Sequence, residues 1–283
     1  MLKILKLIRI EQWIKNLLIF SVPIFAIEFK FQLFFDLLKV FFGFSLIASS
    51  GYIVNDIIDI ESDKNHYRKK ERMLASGKIS ISNAKIIFLI TFLIGSAVLF
   101  SVSNALLFLS LIYLILSILY SKYLKYIKFI DLITIATFFV IRVLLGSLAS
   151  NIEASIYLNL LIFISSLTIV TSKKISILKD DNITNSKVKS SIADNYNLNL
   201  LNMIFIMSMC STFLTFNLWV FLKYNFNIIF IISNILLILI FNKFYKLTDK
   251  SKTEDFIKIL KLKSLFPTYI LLFIFLTIIG ILL

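Results

Sequence analysis

Four oxygen-bearing side chains, Asn55, Asp56, Asp59 and Asp63, close an apolar segment in the run Asn55-Asp56-Ile57-Ile58-Asp59-Ile60-Glu61-Ser62-Asp63. On a helix turning about 100° per residue they share an arc of roughly 100°, whereas Glu61 points elsewhere. Carboxylates packed this closely repel one another and are costly beside hydrocarbon, so a cation is expected among them. Oxygen donors suit a hard ion such as Mg²⁺, which usually keeps part of its shell for substrate phosphates. The expected chemistry is the handling of a diphosphate at a membrane surface. Asn55, Asp56, Asp59 and Asp63 are the expected metal ligands, with Asp59 and Asp63 at the centre of catalysis.

The residues after Asp63 extend that expectation. Lys64-Asn65-His66-Tyr67-Arg68-Lys69-Lys70-Glu71-Arg72 follows at once, and acids followed by bases suggest a metal plus an anion. Lys69, Lys70 and Arg72 are candidates to neutralise phosphate oxygens that the metal leaves uncovered. An ordinary basic loop accounts for the same three residues, but not for three aspartates on one helical face. His66 is the only histidine; a continued helix returns it to the acidic face, and a polar loop histidine without a role fits equally well.

Other segment ends carry a second basic set. Tyr120, Lys122 and Lys125 close the fourth apolar segment, and Lys173-Lys174 follows the sixth. Near the N-terminus, Lys15 and Asn16 can reach a phosphate from the run Gln12-Trp13-Ile14-Lys15-Asn16, and Trp13 is an interfacial anchor by default. Asp131 and Arg142 lie about 20° apart on one face, and roughly 16 Å apart along the axis. That is too far to pair, so both are expected to face a common polar cavity, with Arg142 in the catalytic set. A structural role for Arg142, bonding a neighbouring span, is the alternative. The adjacent acids Asp180 and Asp181 diverge by about 100° and make a poor metal face.

These groups must be positioned by membrane-spanning helices. Of the 283 residues 59% are hydrophobic and 29 are Phe, with a mean hydropathy of +0.93, which excludes an ordinary soluble domain. A spanning helix needs about 20 apolar residues. Candidate spans fall near 13–30, 33–55, 84–102, 104–121, 129–149, 155–171, 200–222, 226–243 and 266–283. The first contains Pro23 and ends on Glu28 and Lys30. The expected fold is an all-α membrane protein of about nine transmembrane helices, forming one polytopic domain over residues 1–283.

A formal net charge of +14 invites a nucleic-acid reading, but its distribution argues against one. With the N-terminus in the cytoplasm, only Lys30, Lys39 and Lys223 fall on the opposite side and Arg142 within a span; every other Lys and Arg is cytoplasmic. That asymmetry is the positive-inside rule. It puts the acids on the cytoplasmic side, the C-terminus outside, and the protein in the cytoplasmic membrane. The N-terminus has no small-residue cleavage site after a short apolar core, so the first span is expected to be retained. Cys210 is the only cysteine; it cannot form an intramolecular disulfide and is read as packing.

The pattern Asn55-x-x-x-Asp59-x-x-x-Asp63 within nine spans resembles the first aspartate-rich motif of UbiA-type membrane prenyltransferases. Arg9-Ile10-Glu11-Gln12-Trp13-Ile14-Lys15-Asn16 is similar to the R-P-x-Q-W-x-K-N opening of the polyprenyl-phosphate phosphoribosyltransferase branch, the decaprenylphosphoryl-ribose synthase group. Tyr52, Asn55, Asp56, Asp59, Asp63, His66, Lys69, Lys70, Arg72, Ala75 and Gly77 follow that branch's longer pattern. Leu124-Lys125, Asp131, Arg142, Gly146, Lys173-Lys174 and Glu254-Asp255 match further positions. Ile10, Tyr67 and Met73 stand where the branch has prolines, and Ile177 stands where it has Glu, so the chain either does without that carboxylate or uses Asp180 or Asp181.

The resemblance implies a UbiA-like bundle with a cytoplasmic-side active cavity. It implies Mg²⁺-dependent transfer of 5-phosphoribose from phosphoribosyl diphosphate to a polyprenyl phosphate in the bilayer, with release of diphosphate. Aromatic prenyl transfer, as in quinone synthesis, is the runner-up on the same fold. Those relatives usually carry a second D-x-x-x-D after the sixth span, where this chain has Lys173-Lys174. A transporter with an acidic ion site is the reading from another class; paired discontinuous spans in two halves would mark it, and the sequence has none. Neither chain length of the lipid nor oligomeric state is legible.

Overall fold

A backbone in hydrocarbon has no water to satisfy its N–H and C=O groups, so each segment must close its own hydrogen bonds. The computed structural model describes residues 2–28, 30–65, 69–180, 187–224, 226–255, 259–260 and 265–283, and among these the regular elements are all helical. The short helices are α1 (Leu2–Leu7), α2 (Ser21–Ala26), α4 (Ile60–Lys64) and α9 (Lys187–Asn195). Eight described helices are long and apolar enough to cross a membrane: α3 (Phe31–Ile58), α5 (Ile81–Val102), α6 (Asn104–Lys122), α7 (Ile130–Ser150), α8 (Ile156–Lys179), α10 (Leu198–Lys223), α11 (Ile228–Asp249) and α12 (Leu265–Leu282). This is an all-α multi-pass membrane protein. Four of these helices, α5, α6, α10 and α11, start at side chains that satisfy orphan N–H groups: Ser80 accepts from Asn83, Ser103 from Ala105, Asn197 from Leu200 and Asn227 from Ile229.

The chain divides into two compact units, residues up to Ala154 and residues from Ser155. In the first, α3 is the central element, with Phe44, Ile47, Leu99, Leu106, Tyr113 and Leu145 in one buried cluster. Helices α3 and α5 approach closely because glycines meet. A Cβ on Gly95 would lie 2.8 Å from the Gly43 carbonyl oxygen, the small-residue packing that membrane helices use. Ser50 and Thr91 hydrogen-bond across the same pair at 2.8 Å.

The segment expected to span 13–30 is not a single α-helix. Residues Ile10–Phe20 form a 3₁₀ helix, which passes into α2, and α2 ends on left-handed Ile27. Its partners descend α3 in antiparallel order. Arg9 meets Asp56, Trp13 Nε1 donates to Ser49 Oγ at 3.1 Å, Asn16 Nδ2 donates to Ser45 Oγ at 2.8 Å, and the Phe20 and Phe41 rings lie 6.0 Å apart. A 3₁₀ helix rises about 2.0 Å per residue, so residues 9 to 20 cover roughly 22 Å. Residues 41 to 56 of α3 cover the same distance at about 1.5 Å each. The stretched helix keeps register with α3 where an α-helix of equal residue count falls about 5 Å short.

In the second unit, polar pairs join apolar helices. Thr168 of α8 bonds Ser208 of α10 at 2.9 Å. Asn217 of α10 and Asn234 of α11 exchange amide hydrogen bonds at 3.0 and 2.8 Å. Asn227 donates to the Gly280 carbonyl of α12 at 3.0 Å. Such bonds hold spans together where lipid offers no competing donor.

Helix α7 crosses the 3₁₀ segment at Gly146, where a Cβ would sit 2.0 Å from the Ile19 carbonyl oxygen, a backbone atom that cannot swing aside. Gly146→Ala is expected to cost at least about 2 kcal/mol as an overpacked contact, read as a thermal midpoint several degrees lower in detergent. An unchanged midpoint contradicts this crossing.

Candidate active site

The acidic face forms where α3 ends. Asp59 N–H bonds the Asn55 carbonyl at 2.9 Å and Asp63 N–H bonds the Asp59 carbonyl at 2.8 Å. The one-turn repeat therefore continues from α3 into α4, although Asp59 itself leaves helical geometry. Asn55, Asp59 and Asp63 stack as the spacing predicts. Asp56 and Asp63 are buried, at 4% and 2% exposure, and Asp59 is largely covered.

Each carboxylate is held by basic side chains. Arg72 Nη1 bridges Asp56 Oδ1 at 3.1 Å and Asp63 Oδ2 at 2.6 Å. Arg9 also pairs with Asp56, and its guanidinium lies 5.1 Å from the Tyr52 ring centroid. Lys69 Nζ is 3.9 Å from Asp63, and Lys125 Nζ donates to Asp59 Oδ1 at 2.6 Å. Asn55 Oδ1 accepts from Ser121 Oγ at 2.8 Å. Side chains from α1's end, the α3–α4 junction, the following loop and the α6–α7 connection thus meet at one place.

Among the described residues no three His, Cys, Asp or Glu converge as an open metal cage. The donor chemistry still fits a hard divalent ion: three carboxylates and one amide oxygen, near enough for Arg72 to touch two of them.

In the sequence Arg9 is a basic residue opening a motif, and the structure adds it to the acidic cluster through Asp56. Its backbone is left-handed, φ 51° and ψ 52°, which costs a non-glycine residue about 1 kcal/mol or more. That turn joins α1 to the 3₁₀ segment and carries the guanidinium to Asp56. The loss of a proline at Ile10 gave no hint of it.

Arg142 does not pair with Asp131, as their separation along α7 predicts. Arg142 is 2% exposed. Its Nε donates to Asn16 Oδ1 at 2.8 Å, Nη1 to the Phe138 carbonyl, and Nη2 to Tyr113 Oη at 3.4 Å. The Phe44, Tyr113 and Phe139 rings surround it at 5.2–5.6 Å, a favourable cation–π setting for a desolvated charge. Asn16 in turn bonds Ser45, so this buried group links α7, the 3₁₀ segment and α3. The Asp131 carboxylate accepts from the Leu132 N–H at 2.8 Å near the start of α7.

Lys15 Nζ lies 6.0 Å from the Phe139 ring, Gln12 is half-buried, Tyr120 packs on Phe138, and Lys70 and Lys122 are exposed. In the second unit Lys173 is exposed, and Lys174 Nζ sits 4.3 Å from the Tyr196 ring centroid. His66 and Asp181 lie outside the described residues.

Burial holds the Asp63 carboxyl above its ordinary value of 3.8, against the opposing pull of Arg72 and Lys69. The folded protein therefore binds this proton more readily than the unfolded chain, and the group's stability cost grows as pH rises from 3.8 through the raised value. The thermal midpoint of Asp63→Asn relative to wild type should accordingly rise as pH climbs from about 4 through the raised value and level off above it. A flat difference contradicts the burial effect.

Residues 17–265 match the UbiA prenyltransferase family. The decaprenyl-phosphate phosphoribosyltransferase of Mycobacterium tuberculosis (strain CDC 1551 / Oshkosh) is 27% identical over 225 residues, covering 77% of this chain and 74% of that protein. Among solved structures, one described as digeranylgeranylglyceryl phosphate synthase in membranes superposes with a TM-score of 0.68 at 23% identity, over 98% of this chain and 97% of that one. A UbiA homologue from Archaeoglobus fulgidus bound to GPP and Mg²⁺ gives a TM-score of 0.63 at 17% identity, over 99% and 100% of the two chains. The helical bundle is thus that of known UbiA structures, and the protein belongs to the UbiA prenyltransferase family as a membrane-embedded transferase.

Proposed function

We propose that the chain transfers 5-phosphoribose from phosphoribosyl diphosphate to a polyprenyl phosphate, releasing diphosphate. One observation carries this reading: oxygen donors for a hard cation lie within a ring of four basic side chains, Arg9, Lys69, Arg72 and Lys125. That ring suits a metal-bound polyanion. The similarity to the mycobacterial decaprenyl-phosphate phosphoribosyltransferase over most of the chain supports phosphoribosyl transfer to a polyprenyl phosphate in particular.

Asn55, Asp56, Asp59 and Asp63 are the residues proposed to hold Mg²⁺, which when bound supplies charge to the departing diphosphate. In this reading Arg72, Lys69 and Lys125 bind diphosphate oxygens and orient the donor. The C1–O bond to diphosphate breaks, with the electron pair leaving on oxygen, and a C1–O bond forms to the acceptor phosphate. That acceptor is already ionised near neutral pH, so the reaction requires no strong general base. Positioning of two anions then supplies much of the rate. Lys15 and Lys122 in the first unit, and separately Lys173 and Lys174 in the second, are candidate phosphate-binding residues, as are Gln12, Asn16, His66, Lys70, Tyr120 and Asp131. Arg142 is the positioning residue that fixes Asn16.

The same reading takes the segment 10–26 as a ninth crossing. At the rises given above it covers about 31 Å, close to the roughly 30 Å hydrocarbon thickness. It also takes the acidic site as cytoplasmic and the whole chain as one polytopic domain. Single cysteines replacing Lys3 and Lys78 in a Cys210→Ala background should both react with an impermeant maleimide from the cytoplasmic side only. Labelling from opposite sides removes the ninth crossing.

The enzymatic test uses purified membranes, phosphoribosyl diphosphate labelled in the ribose, and a polyprenyl phosphate. Label should enter the lipid fraction with Mg²⁺ and not with chelator. Asp63→Asn should lower that rate by about a hundredfold or more, a barrier change near 3 kcal/mol. Prenylation of a hydroxybenzoate or naphthoate, with no ribosyl lipid formed, selects the aromatic alternative instead.

A further inference from the structure

The described acids and bases at the α3–α4 junction do not balance. Asp56, Asp59 and Asp63 face Arg9, Lys69, Arg72 and Lys125, one more cation than carboxylate. The contacts are direct, and Arg72 occupies the space between Asp56 and Asp63 that a shared metal ion needs. Asp59 is closed by Lys125 and Asn55 by Ser121. From this we infer that the basic residues act as resident counter-ions, admitting a divalent cation only together with a polyanion that draws them off.

The argument is electrostatic and rests on the proposed metal role of the acids. A bare divalent cation entering a cluster whose described cations already outnumber its described carboxylates must expel Arg72 and Lys125 with nothing to receive them. A metal–diphosphate complex is net negative near neutral pH and supplies new oxygens for the same donors. Arg and Lys hydrogen bonds to phosphate are as strong as those to carboxylate, so the exchange trades partners instead of abandoning them. The cations differ in their freedom to move. Arg9 is fixed by a left-handed backbone and by Tyr52, so it stays on Asp56. Lys69, Arg72 and Lys125 reach the cluster from the connections after α4 and before α7 without a left-handed backbone, so they are the exchangeable set. Exposure does not distinguish them, since Arg9 at 21% falls within their 19–28%. Selectivity follows: the site takes up metal–diphosphate donors and rejects free metal.

Calorimetric titration of the full chain in detergent tests this with three probes: Mg²⁺ alone, preformed magnesium diphosphate, and diphosphate with chelator. Wild type should bind magnesium diphosphate at least ten times more tightly than Mg²⁺ alone. Lys125→Met should tighten Mg²⁺ alone at least tenfold while weakening magnesium diphosphate; Lys125→Arg should restore the wild-type order. Equal wild-type affinity for Mg²⁺ alone and for the complex overturns the counter-ion inference and leaves the metal site standing. So does an unchanged Mg²⁺ affinity in Lys125→Met that retains the wild-type thermal midpoint. If diphosphate binds equally well with chelator, or the complex does not bind at all, the proposed metal site itself fails.

Discussion

A buried carboxylate at the edge of hydrocarbon must find positive charge, and this requirement organises the first half of the molecule. Asp56 and Asp63 are almost fully covered, so leaving either unpaired is costly. The chain meets the demand from several directions. The loop after α4 returns Arg72 and Lys69, the connection before α7 supplies Lys125, and a strained turn at Arg9 supplies the fourth cation. The same turn starts the 3₁₀ segment, whose longer rise per residue keeps it level with α3. Charge compensation at the site and the unusual geometry of the N-terminal segment are therefore linked.

The second buried charge is solved differently. Arg142 has no carboxylate partner among the described residues; it is satisfied by an amide, a carbonyl, a phenol and three aromatic faces. Such a group is expensive to bury, and its neighbours are correspondingly specific. Asn16 accepts from Arg142 and donates to Ser45, while one turn further along α7 Gly146 lets the 3₁₀ backbone approach. Polar bonding and close packing thus fix the N-terminal segment at successive levels.

Much of this was legible in the sequence. Eight of the nine candidate spans correspond to long helices because apolar run length is a direct consequence of bilayer thickness. The stacking of Asn55, Asp59 and Asp63 follows from a spacing of four, and it survives the break at Asp59. The 3₁₀ geometry of residues 10–20 was not legible, since it is imposed by contacts with α3 and α7 and not by local propensity. Arg9 was hidden because its role depends on a left-handed backbone that no Gly or Asn announces. Helical phase puts Asp131 and Arg142 on one face but leaves the neighbours undetermined, so Asn16 and Tyr113 as partners of Arg142 were not legible. Sequence alone also could not reveal that the acids already hold partners, because ion pairing across 47 or 66 residues of separation is a tertiary fact.

The most direct measurement is a structure of the full chain with diphosphate and Mn²⁺ in place of Mg²⁺, located by its anomalous signal. The account predicts a single strong peak at coordination distance, roughly 2 Å, from carboxylate oxygens of Asp59 and Asp63, with Arg72 and Lys125 turned onto diphosphate oxygens. A peak elsewhere, or diphosphate bound while Arg72 still bridges Asp56 and Asp63, contradicts it.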